Sequence, residues 1–240
     1  MNSDTKDYTK INELLNQNDC QGAIDLCNKL IEINKRDQRA WFYKAFSFDL
    51  LDKNEEALSC YDKAIEINPE YVEAWHNKGV LLGKLGRYAD GLSCYEKAEE
   101  IHPGHANVGF DKGVALSNLG RYEEALPCYE EAIEIDHEFV EAWYNKGLVL
   151  GNLGRYEEAL SCYEKAIEIN PEYEFPWFGK GVIFGDSGRY EEALSCYNEV
   201  LEMNPEYADA WYNKGLVFSN LGRYEEALPC YEEAIKIQPG

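Results

Sequence analysis

The chain has 240 residues, with 23 Lys and Arg against 45 Asp and Glu, so its formal charge is −22. That charge argues against nucleic acid and anionic membrane surfaces as direct partners, because both need Lys and Arg facing phosphate. Hydrophobic residues at 45% and aromatics at 13% suffice for a core, and no apolar run approaches the ~20 residues of a membrane span.

In chain order the sequence resolves into one unit, repeated. The first stretch, 4–37, is rich in Asn, Asp, Lys and Gln, lacks Trp, and carries Ala23 34 residues before Ala57. Its opening residues (Met1, Asn2, Ser3, Asp4) have no basic-then-apolar secretory pattern, so a cytoplasmic location is expected. Six clearer units follow at 38–71, 72–105, 106–139, 140–173, 174–207 and 208–240. Cys60, Cys94, Cys128, Cys162, Cys196 and Cys230 are each 34 residues apart. Trp41, Trp75, Trp143, Trp177 and Trp211 share that spacing, with Gly109 in the one slot where Trp is missing. GRYEEAL recurs at 120–126, 154–160, 188–194 and 222–228, and as GRYADGL at 86–92. Repetition at this period signals a stack of small supersecondary units.

Each unit predicts two helices. In 140–173 the first carries Trp143, Gly147, Leu150 and Leu153 on one stripe at helical spacing. Gly154 breaks it. The second begins near Tyr156, with Glu157 and Glu158 in the turn where the helix dipole favours negative charge. Its apolar stripe is Ala159, Tyr163 and Ala166, and Pro171 forbids continuation. Gly147 and Ala159 are small where two antiparallel helices would cross.

These landmarks resemble the tetratricopeptide repeat (TPR), a 34-residue helix–turn–helix whose Trp, Gly, Tyr/Phe, Ala and Pro positions match Trp143, Gly147, Tyr163, Ala166 and Pro171. The resemblance implies an all-α fold, a right-handed superhelical α-solenoid of stacked antiparallel helix hairpins. It further implies one array over 1–240, with a degenerate first repeat and first helices lining a concave groove. Departures are local: Gly91 for the crossing Ala, Gly109 for Trp, His137 for Pro, Val200 for the second Ala, and Pro176 in a first helix. They predict looseness around 106–139 and an altered helix start near 174.

The groove is the candidate site. One residue after each Trp slot stand Tyr8, Phe42, His76, Phe110, Tyr144, Phe178 and Tyr212, with Asn77, Asn145 and Asn213 beside them. Small residues follow a helical turn or two later: Gly83, Ser117, Gly151, Gly185 and Ser219. Apolar anchors beside amides suit a peptide laid along the groove, its backbone bonded by Asn. The resemblance supports the amide role, since some superhelical TPR arrays hold a peptide main chain with an Asn ladder at this slot. Tyr43, Asp111 and Gly179 interrupt that ladder here. The alternative is that these residues recur only because the repeat was multiplied. The Lys/Arg/Asn clamp that some TPR domains use for C-terminal carboxylates is not expected, because Lys84 and Arg39 stand isolated among aromatic, Asn and acidic neighbours. An apolar or basic segment fits better.

Other ladders read as structure. The eight cysteines are expected to be reduced, buried and small, since successive hairpins place them about 10 Å apart, beyond disulfide reach. His102 and His105 sit in a turn, at slots held elsewhere by Asn170 and Tyr173, taken as ordinary turn residues. Lys44, Lys78, Lys112, Lys146, Lys180 and Lys214 should lay their stems along the seam and reach a carboxylate on a neighbouring helix. No catalytic constellation, metal set or cofactor motif stands out.

The last repeat keeps Leu228, Tyr231 and Ile235 as though another hairpin followed. A second copy, a partner protein or a longer array would each cover them. The expected function is therefore a non-catalytic scaffold or adaptor, binding an extended or helical protein segment in its groove. The alternative is a self-assembling structural protein that associates through this last face.

Overall fold

In the computed structural model, residues 3–238 are described; Pro239 and Gly240, which close the last sequence repeat, lie outside them. Among the described residues there are fourteen α-helices and no strand. The first helices of the repeats are α1 (Ser3–Asn16), α3 (Gln38–Asp49), α5 (Val72–Lys84), α7 (Ala106–Asn118), α9 (Val140–Asn152), α11 (Glu174–Asp186) and α13 (Ala208–Asn220). The second helices are α2 (Cys20–Ile33), α4 (Asn54–Ile67), α6 (Tyr88–Ile101), α8 (Tyr122–Ile135), α10 (Tyr156–Ile169), α12 (Tyr190–Met203) and α14 (Tyr224–Ile237). The chain divides into two compact units, Met1–Arg121 and Tyr122–Gly240, and the boundary falls inside the repeat that lacks Trp at 109 and Pro at 137.

Within the first unit, α1 with α2, α3 with α4 and α5 with α6 pair as hairpins, and each second helix also packs on the next first helix. The second unit follows the same rule from α8 onward. Burial explains the pairing. Ala159 and Ala166 are fully buried, and Tyr163 lies across Gly147 so closely that a Cβ there would sit 2.5 Å from its Cε1. The glycine is a slot for the ring. Burying a side chain of this size stabilises by about 2–3 kcal/mol.

Between the helices of a hairpin the chain reverses through one left-handed residue. Gly154 takes φ +73°, and the Arg155 N–H donates to the Leu150 carbonyl at 2.9 Å, closing the last turn of α9. In the second repeat Asp52 occupies the same slot at φ 55°, with Lys53 N–H donating to Phe48 O at 2.9 Å. Between repeats, the Trp slot fixes the turn. Trp143 Nε1–H donates to the His137 carbonyl at 3.0 Å, as Trp211 does to Pro205 at 2.9 Å. His137 therefore holds the turn as Pro does, helped by Asp136, whose carboxylate accepts from Glu138 N–H at 3.0 Å.

The altered helix start near 174 is not found. α11 begins at Glu174, in register with α9 and α13, and Pro176 lies in its first turn. Backbone N–H groups there have no intrahelical partner to lose.

Candidate functional site

The first-helix aromatics behave differently along the chain. Tyr8 is buried. Its hydroxyl donates to Asp37 Oδ1 at 2.6 Å, and the Arg39 guanidinium lies over its ring, 3.9 Å from the centroid. Phe42 packs on Tyr71 and Tyr43, with ring centroids 5.3 and 5.5 Å away. His76 Nε2 meets Asp111 Oδ2 at 2.7 Å, so the acid that interrupts the Asn ladder is a partner for the imidazole. Phe110 is half-buried on α7. Lys84 and Arg39 are not isolated, as the sequence suggested. Lys84 Nζ donates to the buried Asp49 carboxylate at 3.0 Å, and Arg39 is the cap on Tyr8.

In the second unit the aromatics meet one another. Tyr144 lies 5.6 Å from Tyr173 and 5.9 Å from Phe175, centroid to centroid. Phe175 lies 6.1 Å from Tyr207, which lies 5.1 Å from Phe178. Tyr144 and Phe178 thus line a single open concavity of about 470 Å³, walled also by Leu148, Phe175, Val182 and Tyr207. Its floor includes Tyr163, and Gly179 and Gly151 also line it. Burial first, then the neighbouring tyrosines, pushes the Tyr144 phenol up, so the ring stays neutral at physiological pH.

Gly179, which lines the concavity, lets the Tyr163 ring lie against α11. A Cβ at this position would sit 2.7 Å from Tyr163 Cζ, whereas the preceding and following first helices carry Asn145 and Asn213 at the same register. The residue that interrupts the ladder is also one that lines the concavity.

The asparagines themselves are held by their own helices. Asn77, Asn145 and Asn213 each donate Nδ2–H to the carbonyl four residues earlier at 2.8 Å, leaving the amide oxygen and one N–H for other partners. Asn213 lines a smaller recess of about 80 Å³ with Asp186 and Tyr197, while Asn145 is not among the residues lining the large one. Tyr212 is 51% exposed and rests on Tyr231, 5.7 Å away. That contact engages Tyr231 within its own repeat. Leu228 and Ile235 are 60% and 65% exposed, but Tyr231 is half-buried and its hydroxyl bonds Ser219 Oγ at 3.0 Å.

Sequence reasoning missed Tyr173, Phe175 and Tyr207, treating Tyr173 as an ordinary turn residue. A signal was present, because Tyr71, His105, Phe139, Tyr173 and Tyr207 recur at the period of the repeat just before each first helix. Only contact shows that Tyr71, Tyr173 and Tyr207 stack on the first-helix ring of the preceding hairpin.

The remaining ladders are structural. Lys78 reaches Asp62 at 2.6 Å, Lys146 reaches Glu130 at 2.9 Å and Lys180 reaches Glu164 at 2.8 Å, all across to the preceding second helix. Lys112 pairs with Glu99 at 2.6 Å, and Lys44 and Lys214 lie over Trp41 and Trp211. All eight cysteines are free and buried, and burial pushes the Cys162 and Cys196 thiols up to about 11. Thiols held protonated in this way are poor nucleophiles and poor metal ligands. Among the described residues no helix is long and apolar enough to cross a membrane.

Comparison with known proteins agrees with this geometry. Profiles of the tetratricopeptide repeat match residues 72–105, 140–173 and 178–240, and a TPR repeat profile matches 50–86 and 113–154. The crystal structure of YrrB, described as a TPR protein with an unusual peptide-binding site, is 31% identical with a TM-score of 0.60. The match covers 75% of this chain and 92% of YrrB. The chain belongs to the tetratricopeptide repeat family, a family of protein–protein interaction scaffolds. PilF of Pseudomonas aeruginosa shares the fold at 20% identity and TM-score 0.73, covering 86% of this chain and 95% of PilF. An uncharacterized protein of Methanocaldococcus jannaschii is 44% identical over 54 residues, which span 22% of this chain and 63% of that protein.

Proposed function

We propose that this protein is a non-catalytic adaptor that holds a peptide segment of another protein on the first-helix face of residues 122–240. The observation that carries this reading is the 470 Å³ aromatic concavity containing Tyr144 and Phe178. An open, mostly apolar hollow with few polar groups suits side-chain anchors from an extended or helical segment. That YrrB is described as having an unusual peptide-binding site supports the reading. The repeats over 1–240 would act as one array, with the partially self-covered first unit contributing less contact.

The test is the double variant Tyr144→Ala/Phe178→Ala. Peptide capture should fall at least tenfold while helical content and oligomeric state stay unchanged; capture at the original level would refute the groove. A second reading, association of copies through α14, is favoured by the exposure of Leu228, Ile235 and Tyr224. Light scattering distinguishes it: a monomer at high concentration removes it, and a dimer dissolved by Leu228→Asp/Ile235→Asp supports it.

A further inference from the structure

We infer that the concavity of the second unit receives an arginine side chain of the bound segment; this rests on the peptide reading above and names its chemistry. The chain's own Arg39 is the precedent. In the first repeat the slot aromatic is Tyr8, and it is covered by the Arg39 guanidinium, with the Asp37 carboxylate bonded to the same phenol. Four repeats later Tyr144 stands in the slot of Tyr8, Phe175 in that of Arg39 and Tyr173 in that of Asp37. The internal cation has been replaced by a ring, and the space beside the slot is the open concavity.

Charge points the same way. Asp186 is the formally charged residue among those lining the concavity, and none of the lining residues is basic. Burial, then Glu141 and Glu174, pushes the Tyr173 phenol up; burial, then Asp209 and Glu174, does so for Tyr207. Glu141, Glu174 and Asp209 therefore act on these two phenols, and none of them lines the concavity. The basic side chains of this unit are engaged elsewhere: Arg155 with Glu158, Lys165 with Glu168, Arg189 with Glu192, Arg223 with Glu226, Lys236 with Glu233, Lys146 and Lys180 across the seam, and Lys214 over Trp211.

A hollow lined by aromatic rings and one exposed carboxylate, with no basic residue in its lining, favours a flat cation. Arginine fits better than lysine, because its guanidinium stacks on rings, forks onto a carboxylate and is weakly hydrated. With no side chain at Gly179, the Tyr163 ring packs directly against the α11 backbone, and both line the hollow that the arginine stem would enter.

The experiment uses the full chain on beads and four nonapeptide libraries, randomised except for a central arginine, citrulline, lysine or leucine. Citrulline keeps the shape of arginine without its charge. The arginine library should be retained at least fivefold over citrulline and more than lysine. Asp186→Asn, a solvent-side change, should reduce that preference to twofold or less. Phe175→Arg, which rebuilds the arrangement of Arg39, should block the arginine library. Equal retention of the arginine, citrulline and leucine libraries, lost in Tyr144→Ala/Phe178→Ala, overturns the inference and leaves the peptide reading standing. An arginine preference that survives Asp186→Asn and Phe175→Arg also overturns it, since it then reflects the overall negative charge. Retention of no library refutes both.

Discussion

The two units are built from the same hairpin and differ in what meets the slot residue. In residues 1–121 two slots are satisfied by charge from within, Tyr8 by Arg39 and Asp37 and His76 by Asp111, while Phe42 packs on Tyr71. In residues 122–240 the Tyr144 and Phe178 rings pack against Tyr173, Phe175 and Tyr207 and line a hollow that Asp186 also lines. A repeat thus separates two tasks. Residues that pack hairpin against hairpin recur, while slot residues vary and decide whether a surface is closed or open.

If that separation holds, damage to the shared packing should be equal in both units. Tyr163→Ala and Tyr95→Ala each remove a ring lying across a glycine, Gly147 and Gly79 respectively, and each should lower stability by about 4 kcal/mol in urea unfolding. A difference of more than about 2 kcal/mol between them would show that the two units do not share this packing.

Alkali should also act on both units alike. Burial foremost pushes the phenols of Tyr61, Tyr95, Tyr163 and Tyr197 well above their ordinary value near 10. The folded chain therefore keeps protons that the unfolded chain releases above about pH 10. Stability is full below that pH and falls above it, by up to about 1.4 kcal/mol per pH unit for each phenol. Phenolate absorbance and helical circular dichroism should change together; phenolate appearing well before helix loss would show these rings accessible.

Arg39→Ala sharpens the contrast by opening the closed slot. It should cost about 1 kcal/mol through the lost ring–guanidinium contact. In a chain already carrying Phe175→Arg, it should also restore some arginine-library retention, now at Tyr8. The smallest effect is expected at Tyr61→Phe. Among the described residues the Tyr61 hydroxyl is buried without a hydrogen-bond partner, so its removal should be neutral or stabilise by up to about 1 kcal/mol. A loss above that would reveal a bond to this hydroxyl.

Much of the hairpin was legible in the residues, because helical spacing and turn chemistry act over a few positions. Gly154, Tyr156 and Pro171 mark where α9 ends, where α10 begins and where it cannot continue. Pro176 was misjudged because a proline inside a sequence pattern looks disruptive, whereas its place in the first turn of α11 makes it harmless. The site was half legible. Tyr144 and Phe178 stood in the right register, but nothing local says that Tyr173 and Tyr207 fold onto them. Arg39 and Lys84 looked unpartnered because Tyr8 and Asp49 are 31 and 35 positions away.

Period, charge and side-chain size were enough to establish seven hairpins with acidic second helices, since those properties act within one repeat or between identical neighbours. Which slots would close and which would stay open was settled only by packing. That outcome depends on whether the next hairpin offers a cation, an acid or a ring, and on a missing Cβ at Gly179, whose consequence appears only once Tyr163 lies against it.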